Sequence, residues 1–167
     1  MNKFFFDNVE CIFFDFDGVL TNNSVYIDQN GLESVICSRS DGLAFDVLRR
    51  LDKHVCIISS EKNPVVSFRA GKLQAPVLFG IENKEDTLKE FASIKSINLR
   101  KCIYIGNDLN DYHAMKLCGY SFCPSDSHPS IKSIADTILK SNGGGGVARE
   151  LVEQVFKLDF LKILYGK

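Results

Sequence analysis

Short apolar segments alternate with helix-length segments along this chain, and that alternation constrains the fold more than any other feature. The apolar segments are Val9–Phe14, Val55–Ile58, Val77–Phe79, Cys102–Ile105 and Tyr120–Phe122. Continuous runs rich in Val, Ile, Phe and Cys are typical of parallel strands that are covered on both faces. The helix candidates are Gly42–Leu51, Pro64–Leu73, Lys84–Ile94, Asp111–Leu117 and Val147–Leu158. This β-α order predicts an α/β fold with a doubly wound parallel sheet.

Residues 24–37 interrupt the alternation. Two strand-like stretches flank Asn30-Gly31, a pair that is typical of tight hairpin turns. We therefore predict an inserted β-hairpin directly after the first strand, standing over the carboxyl end of the sheet, where α/β folds bind ligands. The chain shows no internal repeat and no domain boundary, so residues 1–167 are predicted to form a single domain.

Charge and composition exclude several classes of partner. The net charge is −1, which favours neither nucleic acid nor an anionic membrane as a partner. The chain contains no apolar run near the roughly 18–20 residues of a membrane span. The Phe-rich N-terminus is broken by acidic residues and has no small-residue cleavage site, so it does not resemble a signal peptide. The six cysteines form no CxxC pair, which predicts reduced thiols in a cytoplasmic protein.

Asp15 and Asp17 directly follow the first apolar strand and precede Gly18. Carboxylates at the end of a buried strand are costly unless a partner or water compensates their charge. A solvated turn is one interpretation, because Asp-Gly pairs are common in turns. A calcium-binding hand is excluded because its glycine belongs at position six of the loop, whereas Gly18 is fourth. The remaining interpretation is a pair of acids that holds a cation.

Three more polar clusters follow predicted strands, and the same edge of the sheet would hold all of them. Ser59 and Ser60 follow the second strand, Lys84 begins the helix after the third, and Gly106–Asp111 follows the fourth. Each cluster alone is typical of a helix cap or a solvated turn. Because the carboxyl ends of parallel strands meet at one edge, the set predicts a single polar cleft.

With these residues the chain resembles the haloacid-dehalogenase-superfamily phosphatases. The resemblance rests on DxDGV(L/F)T at the first strand, a hydroxyl residue after the second, a later lysine and a terminal G(D/N)DxND. Three further stretches resemble the cap-less branch that contains 3-deoxy-octulosonate 8-phosphate and nonulosonate 9-phosphate phosphatases. Those stretches are Arg39–Gly42, Glu61–Leu73 and Gly143–Glu150. Related domains are fused to some CMP-sialate synthetases.

The resemblance implies a mechanism and a cofactor. Asp15 would be the nucleophile that forms an aspartyl-phosphate, and Asp17 would be the general acid and base. Ser59 would hydrogen-bond a phosphoryl oxygen, and Lys84 would supply positive charge to the phosphoryl group and to Asp15. The implied cofactor is Mg²⁺, held by the Asp15 carboxylate, the Asp17 backbone carbonyl and Asn107.

Asn107 departs from the family pattern, because many relatives have aspartate at this position. An amide oxygen can ligate Mg²⁺, but the substitution removes one negative charge from the site. We expect weaker metal affinity unless Asp108 or Asp111 compensates from close by. A weakened or non-catalytic domain is the alternative that this residue leaves open.

The resemblance also implies a set of substrate-binding residues. That set is Ser60, Glu61, Arg69, Lys72 and Arg149. Arg69 and Lys72 are spaced i,i+3 and so share one helix face, which is equally consistent with a solvated surface. Arg149 follows Gly143–Gly146, which composition alone would assign to a flexible linker. In the resembling enzymes this tail closes over the active site of a neighbouring subunit, where Arg149 would meet a substrate carboxylate.

The resemblance predicts a Mg²⁺-dependent phosphatase, in a homotetramer, that acts on a small 2-keto-3-deoxy sugar acid phosphate of the nonulosonate 9-phosphate type. The tetramer is expected because cap-less relatives cover an open cleft by pairing their inserted hairpins. One alternative is an octulosonate 8-phosphate phosphatase of lipopolysaccharide synthesis, against which Ser59-Ser60-Glu61-Lys62 argues mildly. The other is a non-catalytic oligomerisation or regulatory module of CMP-sialate synthesis.

Overall fold

A computed structural model describes residues 6–166 and contains a six-stranded parallel sheet. The strands of this sheet are β1 Cys11–Asp15, β4 His54–Ile58, β5 Val77–Leu78, β6 Cys102–Ile105, β7 Tyr120–Cys123 and β8 Thr137–Ile138. Strands β2 Tyr26–Ile27 and β3 Glu33–Ser34 pair separately as a hairpin. The sheet order is β5-β4-β1-β6-β7-β8, and every neighbouring pair is parallel. The predicted doubly wound parallel sheet is therefore confirmed, with β1 at its centre.

Helices cover both faces of this sheet. They are α1 Ser40–Arg50, α2 Val65–Leu73, α3 Lys84–Lys95, α4 Tyr112–Leu117, α5 Pro129–Lys132, α6 Val147–Glu150 and α7 Phe160–Tyr165. The α6 helix continues as a π-helical turn over Leu151–Val155. The helix predicted for Val147–Leu158 therefore ends early, and the prediction is wrong for residues 156–158. Lys157 has a positive φ of 55°, which breaks the helix, and Asp159 caps the separate helix α7 by accepting from the Lys162 N–H.

Alternate side chains of β1 enter two different cores. Ile12 and Phe14 pack into a cluster with Phe45 of α1, whereas Phe13 packs on the opposite face with Leu88 of α3. All of these side chains are almost fully buried. Because successive strand residues point to opposite faces, one continuous apolar run supplies both cores. A strand buried in this way fixes the position of the acids at its end.

The register of the central strands brings the polar clusters together. Asp15 of β1 lies opposite Ile58 of β4, and Phe14 lies opposite Ile105 of β6. The residues that follow these strands, Ser59 and Gly106, therefore flank the end of β1. The cleft predicted from the sequence therefore lies at the carboxyl end of the central strands.

The segment after β1 forms a two-stranded antiparallel hairpin. Tyr26 of β2 lies opposite Ser34 of β3, and an antiparallel bridge between Thr21 and Cys37 closes its base. Asp28 Oδ1 accepts hydrogen bonds from the backbone N–H groups of the turn, at 2.8 Å and 2.9 Å. Most of the hairpin is exposed to solvent. Val35 and Cys37 pack partly against the core, whereas its other apolar side chains are uncovered.

Two further properties bear on the predictions from composition. Within residues 6–166, no helix has both the length and the apolar character that crossing a bilayer requires. All six cysteines are free thiols, and five of them are buried.

Candidate active site

The turn that follows β1 carries both acids of the DxDG motif. Asp15 is buried at 3% exposure, whereas Asp17 is half-buried and faces the cleft. The turn is tight because the N–H groups of Leu20 and Thr21 both donate to the Phe16 carbonyl. The Thr21 hydroxyl accepts from the Gly18 N–H at 3.1 Å. A buried strand and a closed turn thus hold the two acids in one orientation.

Lys84 joins two buried carboxylates beneath the cleft. Its Nζ donates to Asp15 Oδ1 at 2.6 Å and to Asp111 Oδ1 at 2.7 Å. The Tyr104 hydroxyl donates to the same Asp111 oxygen at 2.9 Å, and Asp111 Oδ2 accepts from the Asn107 N–H at 2.9 Å. Asp111 therefore connects the lysine, strand β6 and the loop that carries Asn107.

Charge in this network is unbalanced, because one lysine serves two buried carboxylates. Burial raises the pKa of Asp15 to about 8, repulsion from Asp111 adds to the rise, and Lys84 opposes it. Burial lowers the pKa of Lys84, but Asp15 and Asp111 outweigh burial and the net direction is upward. Buried acids need further positive charge to stay ionised together. A divalent cation beside Asp15 would supply it.

The pKa of Asp17 is raised for different reasons. Burial contributes most, and the nearby Glu61 carboxylate adds repulsion. Lys84 and a hydrogen bond from the Thr21 hydroxyl act in the opposite direction without cancelling the rise. A carboxyl that holds its proton more tightly than usual is suited to general acid catalysis.

Asn107 carries an unpartnered oxygen at this cleft. The residue is buried at 6% exposure, and its Oδ1 has no hydrogen-bond partner. Gly18, at a positive φ of 80°, makes room for it, because a Cβ on Gly18 would lie 1.9 Å from Asn107 Nδ2. Buried amide oxygens are rarely left unsatisfied, so this atom fits an oxygen ligand of a metal ion.

The donor set at the cleft fits Mg²⁺ chemically. Residues 6–166 contain no cluster of three His, Cys, Asp or Glu side chains arranged to hold a metal. A site here would therefore combine the Asp15 carboxylate, the Asp17 backbone carbonyl and the Asn107 amide. All three are oxygen donors, which hard cations such as Mg²⁺ prefer.

A cleft of about 430 Å³ opens over these residues. The predicted site residues that line it are Asp15, Asp17, Ser59, Ser60, Glu61 and Asn107. Ser59 is 1% exposed, and its hydroxyl accepts from the Glu61 N–H at 3.1 Å. Glu61 itself accepts from two backbone N–H groups at the start of the α2 segment, at 2.6 Å and 2.7 Å. The structure thus brings the predicted catalytic and metal residues to one cleft, with Lys84 beneath it.

The three predicted cationic substrate residues lie outside this cleft in the single chain. The Arg69 guanidinium donates to the Ser38 carbonyl at 2.7 Å, near the base of the hairpin, and its Nε is buried without a partner. Lys72 is exposed on the same helix. Arg149 forms a two-point ion pair with Glu153, at 2.6 Å and 3.0 Å.

Sequence reasoning missed two residues that support the acids. Tyr104 lies within an apolar strand and was indistinguishable from an ordinary core aromatic. Thr21 was part of the motif, but no role was assigned to its hydroxyl. Asp111 was considered only as a substitute charge for Asn107, whereas the structure places it at the centre of the hydrogen-bond network.

A protein-family model described as haloacid dehalogenase-like hydrolase matches residues 59–151, more than half of the 167-residue chain. The chain is similar to 3-deoxy-D-manno-octulosonate 8-phosphate phosphatases. One from Haemophilus influenzae is 28% identical over 152 residues, covering 90% of this chain and 84% of that protein. One from Escherichia coli K12 is 29% identical over 162 residues, covering 96% and 83%.

Solved structures agree with the sequence relatives. A HAD family hydrolase from Streptomyces avermitilis has a TM-score of 0.86 and 35% identity, covering 88% of this chain and 84% of that one. A Moraxella catarrhalis 3-deoxy-D-manno-octulosonate 8-phosphate phosphatase, in complex with magnesium ion, phosphate ion and KDO, has a TM-score of 0.86 and 25% identity. That match covers 96% of this chain and 90% of the other.

Proposed function

Since the chain belongs to the haloacid dehalogenase-like hydrolase family, we propose that this magnesium-dependent phosphatase releases phosphate from a 2-keto-3-deoxy sugar acid phosphate. One arrangement carries the proposal. Lys84 lies 2.6 Å from Asp15, and the unpartnered Asn107 oxygen lies at the same cleft. This arrangement supports Asp15 as the nucleophile, Lys84 as its countercharge and Asn107 as a metal ligand.

In the first half-reaction, the ionised Asp15 carboxylate attacks phosphorus and the bond to the sugar oxygen breaks. Asp17 donates its proton to the departing oxygen, which its raised pKa favours. Ser59 and Lys84 donate hydrogen bonds to the charge that develops on the phosphoryl oxygens. When bound, Mg²⁺ supplies charge neutralisation between the anionic nucleophile and the anionic ester.

The second half-reaction restores the acid. Asp17, now ionised, takes a proton from a water molecule that attacks the aspartyl-phosphate, so that phosphate leaves and Asp15 is free again. The same side chain must therefore face both the leaving oxygen and the water. The Thr21 hydroxyl supports that role, because it accepts from the Gly18 N–H at 3.1 Å and so fixes the turn that carries Asp17.

Two lengths of sugar acid are candidates. The curated relatives are named as phosphatases of the eight-carbon 3-deoxy-D-manno-octulosonate 8-phosphate, which supports that substrate. Glu61 on the cleft wall supports the nine-carbon, nonulosonate-like substrate, because a carboxylate there can accept hydrogen bonds from additional hydroxyl groups. The shared chemistry is a 2-keto-3-deoxy acid with a terminal phosphate.

We also propose a homotetramer assembled through the hairpin. Its exposed apolar side chains are Val25, Tyr26, Ile27, Leu32 and Ile36, which are between 49% and 68% exposed. An isolated two-stranded hairpin is only marginally stable in water, so pairing with other copies would stabilise it. Light scattering of the purified protein tests this, and a monomeric mass contradicts it. A cytoplasmic location stays a prediction from the free cysteines.

The function is tested by phosphate release from a panel of eight- and nine-carbon sugar acid phosphates, with and without Mg²⁺. The Asp15→Asn variant is the matched control, and its rate should fall to the background of the buffer. We expect Mg²⁺-dependent release from one length of sugar in preference to the other. A protein that binds Mg²⁺ but releases phosphate from no member of the panel would contradict the proposal and favour the non-catalytic module.

A further inference from the structure

The run Gly143–Gly146 lies packed against the turn that carries the catalytic acids. A Cβ on Gly143 would lie 2.3 Å from the Gly18 carbonyl oxygen, and one on Gly144 would lie 2.7 Å from the Thr21 carbonyl carbon. Real Cβ atoms do not approach backbone so closely, so only glycine fits at these two positions. This packing replaces the interpretation of the run as a flexible linker.

From this contact we infer that Gly143 and Gly144 are positioning residues for the catalytic turn, and that they set the geometry of the metal site. The inference rests on the proposed function in one respect, namely that Mg²⁺ binds at Asp15 and Asn107. The run consists of glycines only, so it offers no side chain to bind substrate or metal. Its contribution is to support the backbone of the turn, at Gly18, Val19 and Thr21, by direct contact.

Hydrogen bonds hold the run against the turn. The Gly144 N–H donates to the Val19 carbonyl at 3.0 Å, and the Gly143 N–H donates to Asp126 Oδ1 at 2.9 Å. The segments before and after the run are also joined, because the Glu150 carboxylate accepts from the backbone N–H groups of residues 140 and 141, at 2.9 Å and 2.7 Å. The run is thus attached at several points and cannot shift without breaking some of them.

The turn transmits this support to the chemistry through two contacts. The backbone of Thr21 lies against Gly144, and the Thr21 hydroxyl accepts from the N–H groups of Gly18 and Asn23, at 3.1 Å and 3.2 Å, which fixes the turn directly after Asp17. Gly18, whose carbonyl lies against Gly143, lies directly against the Asn107 amide. A displacement of the turn would therefore move the acid, the Asp17 carbonyl and the Asn107 oxygen relative to one another.

The test is Mg²⁺ affinity, measured by calorimetry in the absence of substrate. We expect Gly143→Ala and Gly144→Ala each to weaken Mg²⁺ binding by about tenfold or more, as residues that orient metal ligands commonly do. The rate of phosphate release should fall as well and recover partly at high Mg²⁺, which general damage to the fold would not allow. Gly71→Ala is the matched control, because a Cβ on Gly71 would meet no atom within 4 Å, and its Mg²⁺ affinity should stay within about twofold.

A second variant covers the case in which the alanine variants fail to fold. Asp126 is exposed, and Asp126→Ala removes the acceptor of the Gly143 N–H without introducing a clash. We expect this variant to keep its circular dichroism spectrum and to bind Mg²⁺ about three- to tenfold more weakly. The inference would be overturned if Asp126→Ala bound Mg²⁺ with wild-type affinity and if Gly143→Ala or Gly144→Ala, whichever folds, did so too. If the wild type binds Mg²⁺ but hydrolyses no substrate, the proposed function fails and this measurement still decides the inference.

Discussion

Asp41 provides a sharp test of the electrostatics, because it is a buried carboxylate outside the catalytic cleft. It lies in the first turn of α1 at 1% exposure, where Oδ1 accepts from the Arg149 N–H at 3.1 Å and Oδ2 has no partner. Burial raises its pKa from the ordinary 3.8 to about 6, although hydrogen bonds from the N–H groups of Arg149 and Ala148 oppose the rise. The folded protein therefore binds this proton more tightly than the unfolded chain.

The raised pKa of Asp41 makes a stabilising contribution that is fully present below its unfolded pKa and is lost as the pH rises through the folded pKa of about 6. The total loss is about 3 kcal/mol, and roughly 1.4 kcal/mol of it falls between about pH 5 and pH 8. Replacing Asp41 with Asn removes the titrating group and keeps an acceptor for the Arg149 N–H. The advantage of the wild type over Asp41→Asn should therefore shrink by that amount over the interval.

Urea unfolding of both proteins at several pH values across this interval measures the difference directly. Other buried acids, including Asp15, titrate in both proteins and cancel in the subtraction. Asp46→Asn is the matched control, because Asp46 lies on the same helix with an exposed ion pair to Arg49, and its difference from the wild type should be flat. A difference between wild type and Asp41→Asn that changes by less than about 0.4 kcal/mol would refute the reasoning, since that is the usual error of such comparisons.

Two further predictions concern the metal site. Asn107→Asp should tighten Mg²⁺ binding by about tenfold, because it adds a full negative charge to an oxygen that is already in place. Calorimetry measures this against Asn110→Asp on the exposed cleft rim, and equal affinities for both variants would show that Asn107 is not a ligand. Lys84→Met should leave Asp15 and Asp111 buried without a counterion and reduce stability by about 3–5 kcal/mol. The melting temperature of Lys84→Met should rise partly toward the wild-type value when Mg²⁺ is added. A melting temperature that does not respond to Mg²⁺ would contradict the charge argument.

The sheet was predictable because burial leaves a direct record in the sequence. Strands covered on both faces need continuous apolar residues, and β1, β4, β6 and β7 all showed them. Strand β8 was missed, since Thr137 and Ile138 are exposed at the sheet edge and form no apolar run. The break before α7 was also missed, because it depends on a positive φ at Lys157 that no residue type at this position signals.

The acids of the site were predictable, but their supporting contacts were not. Charged residues that follow apolar strands are conspicuous, so Asp15, Asp17 and Lys84 could be assigned to one polar cleft from position, whereas their catalytic roles came from the family resemblance. The hydroxyl of Tyr104 sits in a run of core residues, and only the three-dimensional structure shows that it donates to Asp111. Composition could not distinguish a packed glycine run from a mobile one either. The run is packed because it approaches Gly18 and Thr21 closely, and these residues lie far from it in the sequence.

The charge of the cleft connects the proposed substrate to the proposed assembly. Of the described residues that line it, four are acidic and none is Lys or Arg. A sugar acid phosphate is anionic at both ends, so such a cleft would repel the sugar carboxylate even with the phosphate neutralised by Lys84 and a bound cation. For the proposed substrate, we therefore expect further positive charge to come from outside the single-chain cleft. Arg69, Lys72 and Arg149 are suited to supply it from a neighbouring copy, which is why substrate binding and association of the chains are expected to be lost together.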